Sequence, residues 1–348
     1  MLTINDRILR GHKPFVIAEL GCNHMGNPDI CEEMIIRAAL CGVDAVKLQK
    51  RNNERMFLKA ALDKPYCNEL SYGATYGEHR KHLDWFGERE FRRFQGVADK
   101  HGVLLFATPF EEESADFLAR LNMPLYKIAS CDVTNPGLAR HIARFGKPMI
   151  ISTGGATLQD IRRLTDAIDP INDNYALLHC ISTYPNEDWE LNLRVIMRLQ
   201  EMYPDKLIGF SSHHPGVMPL LVARALGASI FEVHFTLNRG WKGTDHGFSM
   251  EPRGLETLCQ DLKRVRVMIG NGEKEIMPKE KSGFISKMGK GVYAARPMQA
   301  GHVIRPEDIA IKSPYSGGLH PYEAEEIIGH ELICDCATGV NLTREVVL

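Results

Sequence analysis

Two lysines lie inside short apolar segments of the chain, where a charged side chain is unusual. Lys47 belongs to AVKLQ (45–49) and Lys127 to LYKIAS (125–130). An unpaired buried ammonium is costly, so each lysine needs an anionic partner. Hydroxyl groups near the ends of similar segments are found at Thr108, Ser130, Ser152 and Thr153. Lysines and hydroxyls that converge suit a phosphate or carboxylate ligand, although each residue taken singly could equally be structural.

Two histidines are the best candidates for a metal site. His213 follows LIGFSS (207–212), and His234 lies within the next apolar segment, SIFEVHFTL (229–237). Two imidazoles with open coordination positions suit a divalent ion that acts as a Lewis acid. We expect a divalent metal as cofactor, with Mn²⁺ as first choice and Co²⁺, Mg²⁺ or Zn²⁺ as alternatives. The competing interpretation is that one of the histidines is a core residue bonded to the backbone.

One carboxylate, Glu19, ends the first apolar segment, FVIAEL (15–20). It could act as a general acid or base, or bind a hydroxyl group of a substrate. The alternative is a structural ion pair, for which Lys47 is the candidate cation. The nine cysteines suggest no similar chemistry. Their number is odd and no C-x-x-C pair occurs, which is typical of free thiols in a reducing compartment.

Eight short apolar segments, each followed by a helical pattern, could bring these side chains together. They are FVIAEL (15–20), AVKLQ (45–49), LLFATP (104–109), LYKIAS (125–130), PMIIST (148–153), YALLHCI (175–181), LIGFSS (207–212) and SIFEVHFTL (229–237). Strands that are apolar on both faces indicate a parallel sheet. Eight strand–helix repeats predict an α/β fold, the (β/α)₈ TIM barrel, which gathers functional residues where its strands end. A doubly wound open sheet is the alternative.

Two regions depart from this repeat. Residues 50–88 form a polar, aromatic insertion containing YGATYGEHRKHLDWF, which suits a lid or a substrate-shaping element. After about residue 270 the chain becomes charged and is punctuated by Pro and Gly. We therefore predict a catalytic barrel over residues 1–276, a linker over 277–287 and a small domain over 288–348. That domain should contain strands in GVYAA, DIAIK and ELICD and a helix from Pro321 to Gly329.

Composition and charge exclude several classes of function. In 348 residues, 42 Lys and Arg stand against 44 Asp and Glu, a formal net charge of −2. That balance argues against a general nucleic-acid binder, which needs a basic face. No apolar run approaches the ~18 residues that span a bilayer, and the N-terminus lacks the apolar stretch of a secretory signal. We expect a cytoplasmic protein with no nucleic-acid or membrane partner.

Several segments, in order, resemble the sialic acid synthase family, the phosphoenolpyruvate-dependent N-acetylneuraminate synthases and their relatives. They are FVIAELGCNHMG, AVKLQ, YKIASCDVTN, IISTGG, LLHCISTYP, IGFSSHHPG and EVHFTLNRGWKGTDHGFSMEP. The C-terminal GVYAARPMQAGHVIRPEDIAI resembles the antifreeze-like (SAF) domain that ends these enzymes. The resemblance implies a (β/α)₈ barrel followed by a SAF domain, paired as a domain-swapped homodimer.

The resemblance also implies roles for individual residues. The phosphoenolpyruvate-binding set matches Lys47, Thr108, Lys127, Ser130, Ser152, Ser182 and Ser211. The acceptor-sugar contacts match Glu19, Tyr184 and Asp245, and these three with Lys127 form the implied catalytic set. The metal ligands match His213 and His234. Phosphoenolpyruvate and an aldose acceptor are thus the implied partners.

Departures from the family pattern concern acceptor recognition. The common motif IG-x-SDHT reads IGFSSHH here, so Ser212 replaces an aspartate and His214 a threonine. Ser182 stands where some members have an asparagine. In the SAF loop, IKSPYSGG places Ser313 where many bacterial members hold an arginine that contacts the acceptor's N-acyl group. The metal and phosphoenolpyruvate sites look kept, whereas the acceptor is left open.

The implied reaction joins phosphoenolpyruvate to an open-chain hexose such as N-acetylmannosamine or its 6-phosphate, giving a nine-carbon 2-keto acid and phosphate. Mannose or a modified bacterial hexosamine is the alternative acceptor, and Arg239 and Lys242 could either contact an acceptor phosphate or be solvated. A rival enzyme would make a seven- or eight-carbon acid, but such synthases normally lack a C-terminal domain. An ice- or carbohydrate-binding protein is disfavoured, because Thr338 and Thr343 are the only threonines in residues 288–348.

Overall fold

The computed structural model describes residues 1–5 and 7–347, which belong to two compact units. The first unit is Met1–Gly270 and the second is Asn271–Leu348. Within the described part of the chain, no helix combines the length and the apolar character that crossing a bilayer requires. The nine cysteines carry free thiols.

Eight parallel strands of the first unit close into a barrel. A short antiparallel hairpin of β1 (Leu2–Ile4) and β2 (Arg7–Leu9) precedes them. The barrel strands are β3 (Phe15–Glu19), β4 (Ala45–Lys50), β5 (Leu104–Pro109), β6 (Tyr126–Ile128), β7 (Met149–Ser152), β8 (Tyr175–Cys180), β9 (Leu207–Ser212) and β10 (Ile230–His234). Neighbours follow chain order, and β10 closes the sheet against β3. The barrel prediction is therefore confirmed, and the open sheet is wrong.

The inner face of the barrel changes character along its axis. Side chains alternate along a strand, so residues two apart share that face. Near the amino ends the buried inner residues are Ile17, Phe106, Ile150, Leu178 and Ile230, with Leu2 and Ile4 of the hairpin packed against them. Gly209 allows close packing there, because a Cβ would lie 2.3 Å from the Ile230 carbonyl oxygen. The next inward positions, toward the carboxyl ends, are polar.

Helices surround the sheet. They are α1 (Pro28–Leu40), α2 (Asn53–Met56), α3 (Lys59–Leu62), α4 (Tyr76–Leu83), α5 (Glu88–Lys100), α6 (Glu112–Arg120), α7 (Pro136–Ala143), α8 (Leu158–Ile168), α9 (Val195–Met202), α10 (Met218–Ala225) and α11 (Pro252–Ile269). Single 3₁₀ turns occur at Ser130–Asp132 and Asp188–Glu190. In α11 the buried residues Leu255, Leu258 and Leu262 form one stripe, as the helical spacing of the sequence indicates.

The insertion that follows β4 folds into α2, α3 and α4. The last of these begins with a capping box: the Thr75 hydroxyl accepts from the Glu78 amide at 3.2 Å, and the Glu78 carboxylate accepts from the Thr75 amide. Such a box satisfies amide groups at the start of a helix that have no partner within it. Tyr76 and Arg80 are four residues apart in α4 and therefore share one helix face.

The second unit contains a small sheet around its own core. β11 (Gly291–Ala294) pairs antiparallel with β12 (Ile309–Lys312), which confirms strands in GVYAA and DIAIK. ELICD is wrong as a strand, because only isolated bridges form at Glu331 and Leu332. The predicted helix is a 3₁₀ helix, Pro321–Ile327. The remaining helical turns are Pro278–Glu280, Lys281–Ile285, Ser286–Met288, Pro306–Asp308 and Arg344–Val346.

A fully buried carboxylate, Asp308, accepts three hydrogen bonds within the second unit. Asp308 accepts from His302 Nε2 at 2.7 Å, from the Arg305 amide at 2.9 Å and from Arg296 Nε at 2.5 Å. Burial raises the pKa of Asp308, but the His302 and Arg296 hydrogen bonds outweigh it and lower that pKa to about 2. A depressed pKa means that this stabilisation is complete above pH 4 and is lost as the pH falls toward 2.

We expect Asp308→Asn to weaken the second unit by about 2 kcal/mol, because His302, Arg296 and the Arg305 amide lose a charged acceptor. Hydrogen exchange of the full chain measures this as lost protection in β11 and β12. Glu307→Gln is the matched control, because Glu307 is adjacent and exposed, at 4.0 Å from Arg305 Nη1. Unchanged protection in the Asp308 variant at neutral pH would contradict the assignment.

Candidate active site

The polar inward positions of the barrel open into a cavity of about 610 Å³. Every site residue predicted from the resemblance lines it: Glu19, Lys47, Thr108, Lys127, Ser130, Ser152, Ser182, Tyr184, Ser211, His213, His234 and Asp245. They converge because they lie on the inner face of the barrel strands, at their carboxyl ends or in the loops that follow them. Thr153 is not among the lining residues, since its hydroxyl donates to the Leu178 carbonyl at 2.9 Å.

An ion-pair network joins the two lysines to two glutamates. Lys47 Nζ lies 2.7 Å from Glu19 Oε2 and 3.7 Å from Glu232 Oε1, and it donates to Thr108 Oγ1 at 3.1 Å. Lys127 Nζ lies 3.4 Å from the same Glu232 oxygen. The Glu19–Lys47 ion pair that the sequence suggests is thus present, inside the cavity. Glu232 is shared by both lysines, so it compensates each of them only in part.

The two ammonium groups differ in electrostatic environment. Burial lowers the pKa of Lys47, but Glu19 and Glu232 outweigh it and raise that pKa above its usual value. Burial also lowers the pKa of Lys127. Glu232 raises this pKa only in part, and repulsion from Lys47 lowers it further, so the pKa stays below its usual value. Burial raises the pKa of Glu232, but Lys127 and Lys47 lower it well below its usual range. Lys127 is therefore the cation whose charge would gain most from an incoming anion.

Hydroxyl groups lie beside these charges. Ser211 Oγ donates to Glu232 Oε1 at 3.1 Å, and Ser130 Oγ accepts from the Gly154 amide at 3.0 Å. Gly154 is needed for this approach, because a Cβ there would lie 2.2 Å from Ser182 Oγ. Ser152 Oγ is buried without a hydrogen-bond partner among the described residues. A buried, unpaired hydroxyl is costly unless a ligand satisfies it.

Two imidazoles meet at the same end of the barrel. The ring centroids of His213 and His234 are 5.3 Å apart. His213 Nδ1 lies 2.8 Å from the Ile181 carbonyl oxygen, which fixes this nitrogen as the donor and leaves Nε2 as a lone-pair site. Burial, with the neighbouring His234, lowers the pKa of His213 to about 3, so its ring is neutral. His234 Nδ1 is buried without a hydrogen bond to any described residue, and it lies 3.6 Å from Asp245 Oδ2.

These donors fit a divalent metal that keeps several coordination positions open. Neutral imidazoles are common metal ligands, and an orphaned ring nitrogen on His234 is a group that a metal would satisfy. Within residues 1–5 and 7–347, no cluster of three or more His, Cys, Asp or Glu is arranged to hold an ion. A metal held by His213 and His234 would therefore leave positions for solvent and substrate.

Tyr184 and Asp245 stand beside these imidazoles. The Tyr184 ring centroid lies 4.0 Å from that of His213. Tyr184 is more than half exposed, and its phenol can donate a hydrogen bond into the cavity. Asp245 Oδ1 accepts from the Thr244 hydroxyl at 2.8 Å. On the neighbouring strand β3, Glu19 is the register partner of His234, and its Oε1 accepts from Gln49 Nε2 at 2.8 Å.

Other candidate residues lie outside the cavity lining. Arg239 Nε donates to the Ser249 carbonyl at 2.6 Å, and Lys242 Nζ lies 5.1 Å from the centre of the Tyr72 ring. Ser212 Oγ accepts from the His214 amide at 3.2 Å, and His214 Nε2 lies 3.0 Å from Asp188. Arg239 and Lys242 are thus engaged by protein groups and are not placed to receive a substrate in the cavity.

Sequence reasoning missed a group of residues at the edge of the cavity: Cys22, Arg51, Tyr76, Arg80 and Phe110. A signal for Arg51 was available, because residues 47, 49 and 51 continue the two-residue alternation of β4. For Tyr76 and Arg80 there was none, since the direction in which α4 faces depends on how the insertion folds back. The insertion therefore does shape the cavity.

Comparison with known proteins agrees with this geometry. Residues 34–274 match the family model described as the NeuB family, and residues 289–343 match the SAF domain. The human N-acetylneuraminate-9-phosphate synthase is 34% identical over 336 residues, covering 97% of this chain and 93% of that protein. The N,N'-diacetyllegionaminic acid synthase of Legionella pneumophila is 30% identical, covering 98% of each chain.

A solved structure shares the fold. The crystal structure of the N-acetylneuraminic acid synthetase from Leptospira borgpetersenii, in complex with citrate, superposes with a TM-score of 0.69. The two sequences are 31% identical, and the match covers 79% of this chain and 91% of that one. The similarity to known proteins thus includes both the barrel that carries the cavity and, through the domain match, the C-terminal unit.

Proposed function

We propose that this chain, which belongs to the NeuB family and carries a SAF domain, is a phosphoenolpyruvate-dependent synthase. It condenses phosphoenolpyruvate with an open-chain N-acetylmannosamine-type hexose, either free or as the 6-phosphate. The products are a nine-carbon 2-keto acid and inorganic phosphate. The chain is an enzyme of a family whose relatives include synthases of N-acetylneuraminate 9-phosphate and of diacetyllegionaminic acid.

The observation that supports this proposal best is the incompletely compensated ammonium of Lys127. It shares Glu232 with Lys47, and the hydroxyls of Ser152 and Ser211 lie in the same cavity. Phosphoenolpyruvate carries a carboxylate and a phosphate on three carbons, so it can satisfy two ammonium groups and several hydroxyl donors at once. We assign it to Lys47, Lys127 and the hydroxyls of Thr108, Ser130, Ser152, Ser182 and Ser211.

The proposed reaction forms one carbon–carbon bond and releases phosphate. Carbon 3 of phosphoenolpyruvate bonds to the aldehyde carbon, and the aldehyde oxygen takes a proton to become a hydroxyl. Water adds at carbon 2 and loses a proton, and the resulting tetrahedral centre releases phosphate to leave the ketone. Lys47 and Lys127 hold the anionic groups in place throughout, so that the reacting carbons meet with little loss of orientational freedom.

Glu19, Tyr184 and Asp245 are assigned to the acceptor. As a carboxylate paired with Lys47, Glu19 accepts a hydrogen bond from a sugar hydroxyl or takes a proton from water. The Tyr184 phenol, which lines the cavity, donates a hydrogen bond to the sugar. A divalent metal held by His213 and His234, with Mn²⁺ as first choice, would supply Lewis acidity at the aldehyde oxygen.

The resemblance also leads us to propose a domain-swapped homodimer. In that arrangement a SAF loop of the partner would approach the barrel, but Ser313 replaces the arginine of many bacterial members. Its hydroxyl donates to the Met288 carbonyl at 3.0 Å. A serine brings no positive charge, so acceptor recognition rests more heavily on cations of the barrel itself.

A phosphate-release assay tests the proposed function. We expect release with phosphoenolpyruvate, Mn²⁺ and an N-acetylmannosamine-type acceptor, and mass spectrometry should find the nine-carbon acid in equal amount. Reactions without acceptor are the control for simple hydrolysis. The panel should contain free and 6-phosphorylated forms of N-acetylmannosamine, mannose and diacetamido-hexoses. Absence of release with every acceptor would refute the proposal.

A further inference from the structure

A second cationic group lies in the same cavity, away from the two lysines. Arg51 follows directly after β4, and Arg80 lies on α4; their exposed fractions are 8% and 6%. Both line the cavity, together with Tyr76 from the first turn of α4. We infer that Arg51, Arg80 and Tyr76 bind a phosphate group on the far end of the acceptor, so that the acceptor is a hexose 6-phosphate. This inference rests on the proposed function and deepens it.

The charge balance of this arginine pair supports an anionic ligand. Asp84 serves both guanidiniums: its oxygens lie 2.5 and 2.8 Å from Arg80 nitrogens, and one of them lies 3.6 Å from Arg51 Nε. Among the described residues, Asp84 is the carboxylate that forms an ion pair with either of them. Two buried positive charges against one negative charge leave an excess that is costly without a further anion.

The remaining contacts of the two guanidiniums do not supply that anion. Arg80 donates to the Cys22 sulfur at 3.5 Å, but burial raises the pKa of this thiol, so it stays neutral. Arg51 donates to the Gln49 side-chain oxygen and stacks on the Phe110 ring, 4.1 Å from its centre. Arg51 Nε has no hydrogen bond to any described residue, and Asp84 Oδ1 lies 3.6 Å from it, beyond hydrogen-bond distance. An anion bound in the cavity would balance the excess charge of the two guanidiniums.

The position of the arginine pair suits the far end of a hexose. Arg51 is linked to Glu19 through Gln49, which accepts from Arg51 and donates to Glu19. Of the residues assigned to phosphoenolpyruvate, Ser152 and Ser182 belong to β7 and to the segment after β8, opposite β3 and β4. Lys47 lies on β4 itself, four residues before Arg51 and nearer the amino end of the strand. An acceptor that extends from Glu19 toward α4 would therefore place its reacting aldehyde and its terminal group at different ends of the cavity.

A phosphate fits the donors better than an uncharged hydroxymethyl group does. Guanidinium groups bind phosphate oxygens in a forked geometry, and the phenol of Tyr76 adds a neutral donor. A free hexose would offer these buried cations only a hydroxyl. The alternative is that Arg51, Arg80 and Asp84 only hold α4 against the barrel, and the experiment below separates the two.

The experiment compares N-acetylmannosamine with its 6-phosphate, in the presence of phosphoenolpyruvate and Mn²⁺. For the wild-type enzyme we expect the 6-phosphate to have the higher kcat/KM. In Arg80→Gln we expect KM for the 6-phosphate to rise by about 10- to 100-fold, as for loss of a charged hydrogen bond. The loss of kcat/KM should be clearly smaller for the free sugar than for the 6-phosphate, and KM for phosphoenolpyruvate should change least. Lys81→Gln removes a cation from the same helix at an exposed position and is the matched control.

Arg80→Lys covers the possibility that Arg80→Gln does not fold, because it keeps the ion pair with Asp84 while losing the fork. It should show the same selective loss to a smaller degree. Equal efficiency with free and phosphorylated sugar in the wild-type enzyme overturns the inference alone. An equal loss for both sugars in the Arg80 variants also overturns it and indicates a structural role. No phosphate release with any acceptor overturns the proposed function, and the inference with it.

Discussion

Replacing Lys127 with methionine should lower kcat/KM for phosphoenolpyruvate by about 100- to 1000-fold, equivalent to about 3–4 kcal/mol. Methionine keeps much of the length of the side chain and removes the charge. Among the described residues, Lys127 forms an ion pair only with the shared carboxylate Glu232, at 3.4 Å, so the protein loses little of its own stabilisation when the charge is removed. The loss therefore falls on the binding of the anionic substrate. Steady-state kinetics with each substrate varied in turn measure it.

The corresponding change at Lys47 should act differently. Lys47 lies 2.7 Å from Glu19, and its removal would leave that buried carboxylate without its cation. We expect Lys47→Met to reduce the free energy of unfolding by about 3–5 kcal/mol in addition to weakening phosphoenolpyruvate binding. Urea denaturation separates the two effects. Lys100→Met, at an exposed position on α5, is the control for loss of a lysine.

For Lys127→Met, equal losses of kcat/KM for phosphoenolpyruvate and for the acceptor would argue against the role assigned to Lys127.

Removing either metal-ligand candidate should abolish metal-dependent activity. We expect His213→Gln and His234→Gln to weaken Mn²⁺ binding by at least about 100-fold, since even groups that only support a ligand contribute about 10- to 100-fold. Electron paramagnetic resonance of Mn²⁺ added to chelator-treated protein measures binding without reference to turnover. Treatment with a chelator should stop phosphate release in the wild-type enzyme, and added Mn²⁺ should restore it.

A neighbouring histidine provides the control for this experiment. His214 follows His213 directly, but its Nε2 lies 3.0 Å from Asp188 and it does not line the cavity. His214→Gln should therefore bind Mn²⁺ as the wild-type enzyme does. Undiminished Mn²⁺ binding in both the His213 and the His234 variants would show that the ion is held elsewhere.

The sequence alone determined the barrel and most of its polar cavity. Buried parallel strands need apolar side chains on both faces, so each strand appears as an apolar segment that can be counted. Within such segments a Lys47 or a Lys127 is conspicuous, because burying a charge is costly. The alternation of side chains along a strand then places these residues on the inner face, and the closure of the barrel brings their carboxyl ends together.

Only the tertiary structure decided how the charges inside the cavity are paired. Like the two lysines, Glu232 lies in an apolar strand, but the sequence does not reveal that Lys47 and Lys127 both contact this carboxylate. Those contacts depend on the order in which the strands close the barrel. Arg80 was unpredictable because α4 belongs to an insertion with no strand period to fix its direction. ELICD failed as a strand because an apolar run in a small unit can form isolated bridges instead. Local periodicity can be read directly from the sequence, whereas the pairing of charges depends on distances between residues that are far apart in sequence.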